Sequence, residues 1–260
     1  MEINRIDELF KSKQQKILSV YFTAGFPKLN DTIAILHSLQ ESGADIVELG
    51  IPFSDPLADG PVIQKSSETA LKNGMSIAIL FRQLKDFRKH IHIPVLLMGY
   101  FNPILQYGVE QFLKEAAELG IDGLIVPDLP LHEYEKQYAE LFKRYKVKNI
   151  LLVTPQTVES RIRYIDELCN GFIYVVSSAS TTGQKDDLNE DITQYLERIK
   201  QYKLKNPALV GFGISNARSF QLVSQFLNGA IVGSAFIKTL EKPGNQKQNI
   251  LQFIQSIKQP

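Results

Sequence analysis

The sequence predicts an α/β protein folded as a (β/α)₈ barrel, and three observations support this prediction. Eight short apolar segments alternate with segments of helical periodicity. Each apolar segment reads as a continuous run, which is typical of a parallel strand whose sheet is covered by helices. The length of 260 residues suits one such barrel, which usually takes about 250 residues. We therefore expect residues 1–260 to form a single barrel domain.

The first predicted element is a short N-terminal helix, because Ile3, Ile6 and Phe10 recur at helical spacing. Eight strands follow, and glycine or proline bounds most of them. Their predicted ranges are 16–23, 45–49, 94–98, 122–126, 149–153, 172–176, 208–211 and 229–232. Between the strands, apolar residues recur three and four positions apart. An open, doubly wound sheet is the alternative, but no Gly-x-Gly-x-x-Gly turn follows the first strand.

The composition argues against several classes of protein. A net charge of +1 at pH 7 argues against nucleic-acid binding. The one cysteine, Cys169, excludes an internal disulfide and a cysteine-rich metal site, and we expect it to be a buried filler. The four histidines show no metal-ligand spacing beyond His90 and His92, which precede a strand and so lie at the wrong end of a barrel for its active site. We see no signal peptide and no apolar run of about 20 residues, so we expect a cytoplasmic protein with no membrane association.

The segment 48–61 contains the most informative residue, Glu48. Side chains alternate along a strand, so Glu48 shares a face with Ile46 and enters apolar space. A buried carboxyl group without a partner is costly to ionise, and its pKa should rise, as in a general acid or base. The alternative is a structural glutamate held in a salt bridge, but its own strand offers no lysine or arginine.

Asp59 lies in the loop that Pro52, Pro56 and Pro61 keep out of helical conformation. An aspartate in such a loop is usually a turn former. From the residues alone, a turn former and a second functional carboxylate are equally good interpretations.

Glycines at the ends of the last strands suggest a phosphate site. Barrels of this kind often bind phosphate between the loops after the seventh and eighth strands, at a helix N-terminus. Those loops contain Gly213 and the pair Gly233 and Ser234, and Gly183 lies in the loop after the sixth strand. Glycine lets backbone N–H groups approach an anion closely. Each glycine alone could equally be a plain turn residue, but together they favour phosphate.

Segment 48–61, with residues 21–25 and the pair Gly233 and Ser234, resembles the tryptophan synthase alpha chain family along essentially the whole chain. The resemblance implies a lyase of tryptophan biosynthesis that cleaves indole-3-glycerol phosphate to indole and glyceraldehyde 3-phosphate. It assigns Glu48 and Asp59 as catalytic residues, with Asp59 on the indole N–H, and Gly183, Gly213, Gly233 and Ser234 to phosphate. It places the indole among Tyr21, Met98, Tyr100, Ile125, Tyr174, Thr182 and Ile231, although such residues at strand ends are more often ordinary barrel core.

The resemblance also implies a partner. It predicts a beta subunit that carries pyridoxal phosphate in an α2β2 heterotetramer, with residues 53–59 and 177–187 near the interface and no cofactor in this chain. Two positions depart from the family pattern: Ser178-Ala179-Ser180 stands where many members have Arg-x-Gly, and Pro127 stands where relatives commonly have a small residue. The alternatives are a free-standing indole-glycerol-phosphate lyase, an epimerase or isomerase of sugar phosphates, and a non-catalytic barrel that activates a beta subunit.

Overall fold

The computed structural model describes residues 4–176, 190–211 and 213–259 and confirms the predicted (β/α)₈ barrel. Eight parallel strands hydrogen-bond in chain order, and β1 pairs with β8 to close the barrel. The strands are β1 Ile17–Thr23, β2 Ile46–Gly50, β3 Val95–Met98, β4 Gly123–Ile125, β5 Lys148–Val153, β6 Ile173–Val176, β7 Ala208–Gly211 and β8 Gly229–Val232. The extent of the single domain over residues 1–260 stays a prediction.

Helices cover the outside of the barrel. They are α1 Arg5–Ser12, α2 Thr32–Glu41, α3 Pro61–Lys72, α4 Ile77–Leu84, α5 Phe101–Tyr107, α6 Val109–Leu119, α7 Leu131–Glu133, α8 Ala139–Tyr145, α9 Glu159–Leu168, α10 Glu190–Gln201, α11 Ala217–Val223, α12 Ser234–Leu240 and α13 Gln246–Lys258. A 3₁₀ turn spans Phe87–Lys89, and a π-helical turn spans Tyr134–Tyr138. Their apolar faces and the outward strand residues form the larger core.

A second apolar cluster fills the inside of the barrel. Its strand residues include Ile17, Ile46, Leu96 and Ile125, and Ile6 of α1 joins them. The predicted N-terminal helix thus closes the N-terminal end of the barrel, where Phe10 packs against Phe172 with ring centroids 6.0 Å apart. Because this end is plugged, a ligand can approach the barrel interior only from the C-terminal ends of the strands.

Ionic contacts stabilise the plugged N-terminal end of the barrel. Asp122, which precedes β4, is almost fully buried and lies against two guanidinium groups. Arg5 of α1 donates to Asp122 Oδ1 at 3.1 Å, Arg88 donates to Oδ2, and the Val95 amide donates to Oδ2 at 2.8 Å. A buried carboxylate with this many donors is a structural tie between α1, β3 and β4.

Two of the sequence expectations concern residues outside the site. Cys169 is buried at the C-terminal end of α9, which confirms it as a filler. His90 and His92 precede β3 at the plugged end of the barrel, as predicted. Among the described residues, no helix is long and apolar enough to cross a membrane.

Candidate active site

Glu48 lies inside the barrel, on the face that its spacing from Ile46 predicts. In the pairing of β1 with β2, Ser19 is opposite Ile46 and Tyr21 is opposite Glu48. The side chains of Ser19, Tyr21 and Glu48 therefore share the interior of the barrel. Each of the three is buried.

The carboxyl group of Glu48 has one hydrogen bond. Its Oε1 accepts from the Ser19 hydroxyl at 2.7 Å, and its Oε2 has no partner among the described residues. Burial raises the pKa of Glu48 to about 8, and the Ser19 hydrogen bond offsets part of that rise. Glu48 is accordingly protonated at neutral pH and can donate a proton.

Asp59 lies half-buried in the loop between β2 and α3. Its Oδ2 accepts from the Tyr100 hydroxyl at 3.0 Å, and that hydroxyl accepts from the Ala58 amide at 2.9 Å. Burial raises the pKa of Asp59 to about 6, against the effect of the Tyr100 hydrogen bond. Asp59 is therefore mostly ionised at pH 7. Its carboxylate is bonded to a side chain from the loop after β3, which a simple turn former would not require.

Several of the predicted indole-pocket residues line one cleft with Asp59. Tyr21, Met98 and Tyr100 belong to this small cleft, which has a cavity volume of about 20 Å³ and is partly open to solvent. Residues that the sequence did not single out complete its wall: Ile51, Phe53, Ser67 and Gly99. Pro127, noted as a departure from the family pattern, also lines it. The Phe53 and Tyr100 rings lie 5.2 Å apart, so the cleft has an aromatic side beside its carboxylate.

Tyr174, Ile125 and Ile231 lie deeper, in the apolar cluster inside the barrel. Two glycines make room for the tyrosines of this interior. A Cβ at Gly50 would lie 2.2 Å from the Tyr21 hydroxyl oxygen, and a Cβ at Gly211 would lie 2.2 Å from that of Tyr174. Both positions must therefore be glycine for the two rings to sit as they do.

The two tyrosine hydroxyls stay neutral near Glu48. Burial raises the pKa of Tyr21 and Tyr174 above the ordinary value for tyrosine, and the charges of Glu48 and Asp59 add to the rise. Near Glu48, the barrel interior thus contains the neutral hydroxyls of Tyr21 and Tyr174, and neither residue supplies a positive charge. This environment keeps the Glu48 proton in place.

The predicted phosphate residues lie at the ends of neighbouring strands. Gly213 follows β7 with φ +77°, and Gly233 follows β8 as the residue before α12. β7 pairs with β8, so these two ends are adjacent. Ser234 opens α12, and amides in a first helical turn have no carbonyl of their own helix to bond. Gly183 and Thr182 lie outside the described residues, as does the predicted contact segment 177–187.

Sequence reasoning missed Ser19 and the two glycines beneath the tyrosines. Alternation along β1 could have found Ser19, because it lies two residues before Tyr21 and so faces the same interior as Glu48. The roles of Gly50 and Gly211 depend on side chains from neighbouring strands, and no local pattern indicates them. No group of three or more His, Cys, Asp or Glu positioned to hold a metal ion occurs in the described ranges.

Comparison with known proteins gives one consistent result. A family model described as tryptophan synthase alpha chain matches residues 8–259. The tryptophan synthase alpha chain of Flavobacterium psychrophilum is 52% identical over 255 residues, which are 98% of this chain and 100% of that protein. That of Parabacteroides distasonis is 50% identical over 257 residues, with 99% and 100% covered. The crystal structure of tryptophan synthase subunit alpha from Legionella pneumophila superimposes with a TM-score of 0.89 at 36% identity, covering 99% of this chain and 98% of that one.

Proposed function

Since the chain belongs to the tryptophan synthase alpha chain family and is an indole-glycerol-phosphate lyase of tryptophan biosynthesis, we propose that Glu48 and Asp59 carry out the cleavage together. Glu48 is the general acid and base, and Asp59 is the acceptor for the indole N–H. The observation that carries the proposal is the buried Glu48 carboxyl group, which has one oxygen bonded to Ser19 and the other without a partner among the described residues.

The reaction needs a proton delivered to C3 of the indole ring, a proton removed from a side-chain hydroxyl, and one carbon–carbon bond broken. Glu48 delivers its proton to C3 of the indole ring, and the positive charge that develops spreads to the ring nitrogen. Asp59 accepts a hydrogen bond from the N–H and stabilises that charge. The Glu48 carboxylate then takes the proton from the hydroxyl on the adjacent side-chain carbon. As that C–O becomes a carbonyl, the bond to C3 breaks and its electron pair returns to the ring. The products are indole and glyceraldehyde 3-phosphate, and Glu48 is again protonated.

The different surroundings of the two carboxyl groups suit these different roles. Glu48, with a pKa near 8, holds its proton at neutral pH, whereas Asp59, with a pKa near 6, is ionised. Two carboxyl groups whose surroundings separate their pKa values can act as acid and as charge stabiliser at the same pH. The cleft lined by Tyr21, Met98 and Tyr100 offers a flat apolar wall for the indole.

The phosphate of the substrate would bind to the amides at the ends of β7 and β8. Gly213, Gly233 and Ser234 are the described residues for this role, and Gly183 is the predicted fourth. Proximity to the cleft supports the assignment, because a Cβ at Gly233 would lie 3.5 Å from the Tyr21 ring. One end of the substrate can therefore reach these amides while the other contacts the wall formed by Tyr21.

Membership of the family implies a tryptophan synthase beta subunit as partner. We propose further that the complex is an α2β2 heterotetramer in the cytoplasm, that the beta subunit carries pyridoxal phosphate, and that this chain binds no cofactor. Leu57 supports an interface at residues 53–59, because its side chain is 88% exposed in the same loop as Asp59. A large apolar side chain gains free energy when a partner covers it.

The test is indole release from indole-3-glycerol phosphate by the wild-type protein and by Glu48→Gln, each with and without a beta subunit. We expect Glu48→Gln to lose about 10²-fold to 10⁴-fold in kcat, the usual contribution of a positioned acid or base. Glu68→Gln is the matched control, because Glu68 is an exposed glutamate paired with Lys72. Activity of the control should equal that of the wild type.

The other outcomes separate the alternatives. Full activity of Glu48→Gln would refute the assigned role of Glu48. Equal activity with and without the beta subunit would identify a free-standing lyase. Activation of a beta subunit by a chain that releases no indole in any mixture would identify a non-catalytic barrel, and turnover of a pentose phosphate would identify another sugar-phosphate enzyme.

A further inference from the structure

Ser19 is a buried polar residue inside an apolar barrel, and its side chain has one hydrogen-bonding partner among the described residues. That partner is Glu48 Oε1, at 2.7 Å. Both side chains are fully buried. Burying a hydroxyl is costly unless it makes a hydrogen bond, so this contact accounts for the presence of a serine in the middle of β1.

The register of the barrel places Ser19 behind Glu48. Ser19 is paired with Ile46, two residues before Glu48, and Tyr21 is paired with Glu48 itself. Ser19 therefore lies one layer nearer the plugged N-terminal end, whereas Tyr21 extends to the cleft. Ser19 contacts the carboxyl group from the side away from the cleft, and Oε2, which is itself buried, has no partner among the described residues.

The same contact influences which oxygen of Glu48 carries the proton. The Ser19 hydroxyl has no acceptor other than Oε1 among the described residues, so its hydrogen is satisfied only if it donates to Oε1. A proton on Oε1 would compete with that donation. Donation from Ser19 to Oε1 therefore favours the neutral form that has its proton on Oε2, where the proton has no partner among the described residues and can be transferred.

We propose that Ser19 is a positioning residue for the lyase reaction, because it fixes the carboxyl group of Glu48 so that Oε2 presents the proton to the substrate. This inference rests on the proposed role of Glu48 as the acid and base. Ser19 does not contact the substrate in this arrangement, so its removal should act on the rate of the chemical step and not on substrate binding.

The titratable groups that face Glu48 come from three elements. Tyr21 of β1 and Tyr174 of β6 each interact with the Glu48 charge, and Asp59 from the loop after β2 interacts with the same two tyrosines. Both tyrosines are neutral hydroxyls at ordinary pH. Titration of Asp59 should affect the acid limb of a pH profile, and loss of the Glu48 proton should affect its alkaline limb.

The test is the pH dependence of indole release by Ser19→Ala and Ser19→Thr, in complex with the beta subunit. For Ser19→Ala, we expect kcat to fall about tenfold with KM unchanged. The alkaline limb should shift upward by about one pH unit, since a hydrogen bond that stabilises the carboxylate is lost. Ser19→Thr keeps the hydroxyl and should restore most of kcat and the original pH profile. Ser224→Ala is the control, because it removes a buried serine hydroxyl bonded at 2.7 Å to the Phe220 carbonyl, outside the site.

A double substitution distinguishes failure of this inference from failure of the proposed function. If Ser19 acts through Glu48, Ser19→Ala should not lower the residual activity of Glu48→Gln any further. If Ser19→Ala leaves kcat and the pH profile unchanged while Glu48→Gln loses activity, the inference about Ser19 is overturned and the proposed function stands. A fully active Glu48→Gln would overturn the proposed function and with it the inference.

Discussion

Two buried carboxyl groups at different levels of the barrel differ in their contacts, and this difference separates a structural role from a chemical one. Asp122, at the N-terminal end of β4, contacts Arg88, Arg5 and the Val95 amide. Glu48, on β2, contacts one neutral hydroxyl and leaves Oε2 without a partner among the described residues. Both groups are equally hidden from water, with exposures of 2% and 0%.

The difference lies in what compensates the lost hydration. Two guanidinium groups and an amide donate hydrogen bonds to Asp122, so its contacts are part of the fold. No described residue compensates Glu48 with comparable strength, and burial instead raises its pKa to about 8. In this barrel, the buried carboxyl group without a cation beside it among the described residues is the one at the candidate active site. The comparison makes opposite predictions for the two neutral variants.

Asp122→Asn should have the largest effect on stability. The substitution keeps the size of the side chain but leaves the partly buried Arg88 guanidinium without its counter-charge. We expect the free energy of unfolding to fall by about 3–5 kcal/mol, the usual cost of breaking a buried ion pair. Denaturant titration measures this loss, and kcat at a temperature where the variant is folded should match the wild type. A stable Asp122→Asn protein with low kcat would show that Asp122 serves the reaction and not the fold.

Glu48→Gln should stabilise the protein, and the gain should grow with pH. The pKa of Glu48 is raised from 4.5 to about 8 in the folded protein, so between these values the unfolded chain has lost a proton that the folded protein keeps. Wild-type stability therefore falls as pH rises, and the glutamine variant lacks this loss. The difference in unfolding free energy should increase by about 2–3 kcal/mol between pH 5.5 and pH 7.5. A difference that is constant with pH would show that Glu48 is ionised throughout. Glu68→Gln again serves as the control.

The position of Glu48 and its lack of a counter-charge could be predicted from the sequence. Alternation with Ile46 placed Glu48 inside the barrel, and the absence of a lysine or arginine in its strand predicted a carboxyl group without a counter-charge. The eight strands were also predictable, because each is a short apolar run ended by a helical segment. Observed strand boundaries differ from the predicted ones by at most one residue at either end.

The partners of the two carboxyl groups could not be predicted in the same way. Arg88 precedes Asp122 by 34 residues and Arg5 precedes it by 117. Only the pairing of β3 with β4 and the packing of α1 on the end of the barrel bring them together. The same holds for the cleft, where Tyr100 of one loop reaches Asp59 of another. Local periodicity fixes which face a residue occupies, whereas contacts between distant strands follow from the register of the whole sheet.

Asp59 is the intermediate case, and Tyr100→Phe tests it with the smallest expected effect. Asp59 is half-buried and has one neutral hydroxyl donor, the Tyr100 hydroxyl at 3.0 Å, which also accepts from the Ala58 amide at 2.9 Å. Removal of that hydroxyl should raise the pKa of Asp59 above about 6, because the lost hydrogen bond favours the carboxylate. The acid limb of kcat/KM for indole release should then move upward by about one pH unit, and kcat/KM at pH 7 should fall about twofold, because about half of Asp59 would then be protonated. The free energy of unfolding should change by about 1 kcal/mol or less, since the loop is partly exposed.

Tyr145→Phe is a suitable control, because it removes a tyrosine hydroxyl bonded to the exposed Glu110 carboxylate. An acid limb that stays in place in Tyr100→Phe would mean that Asp59 does not need its hydroxyl partner to hold its charge.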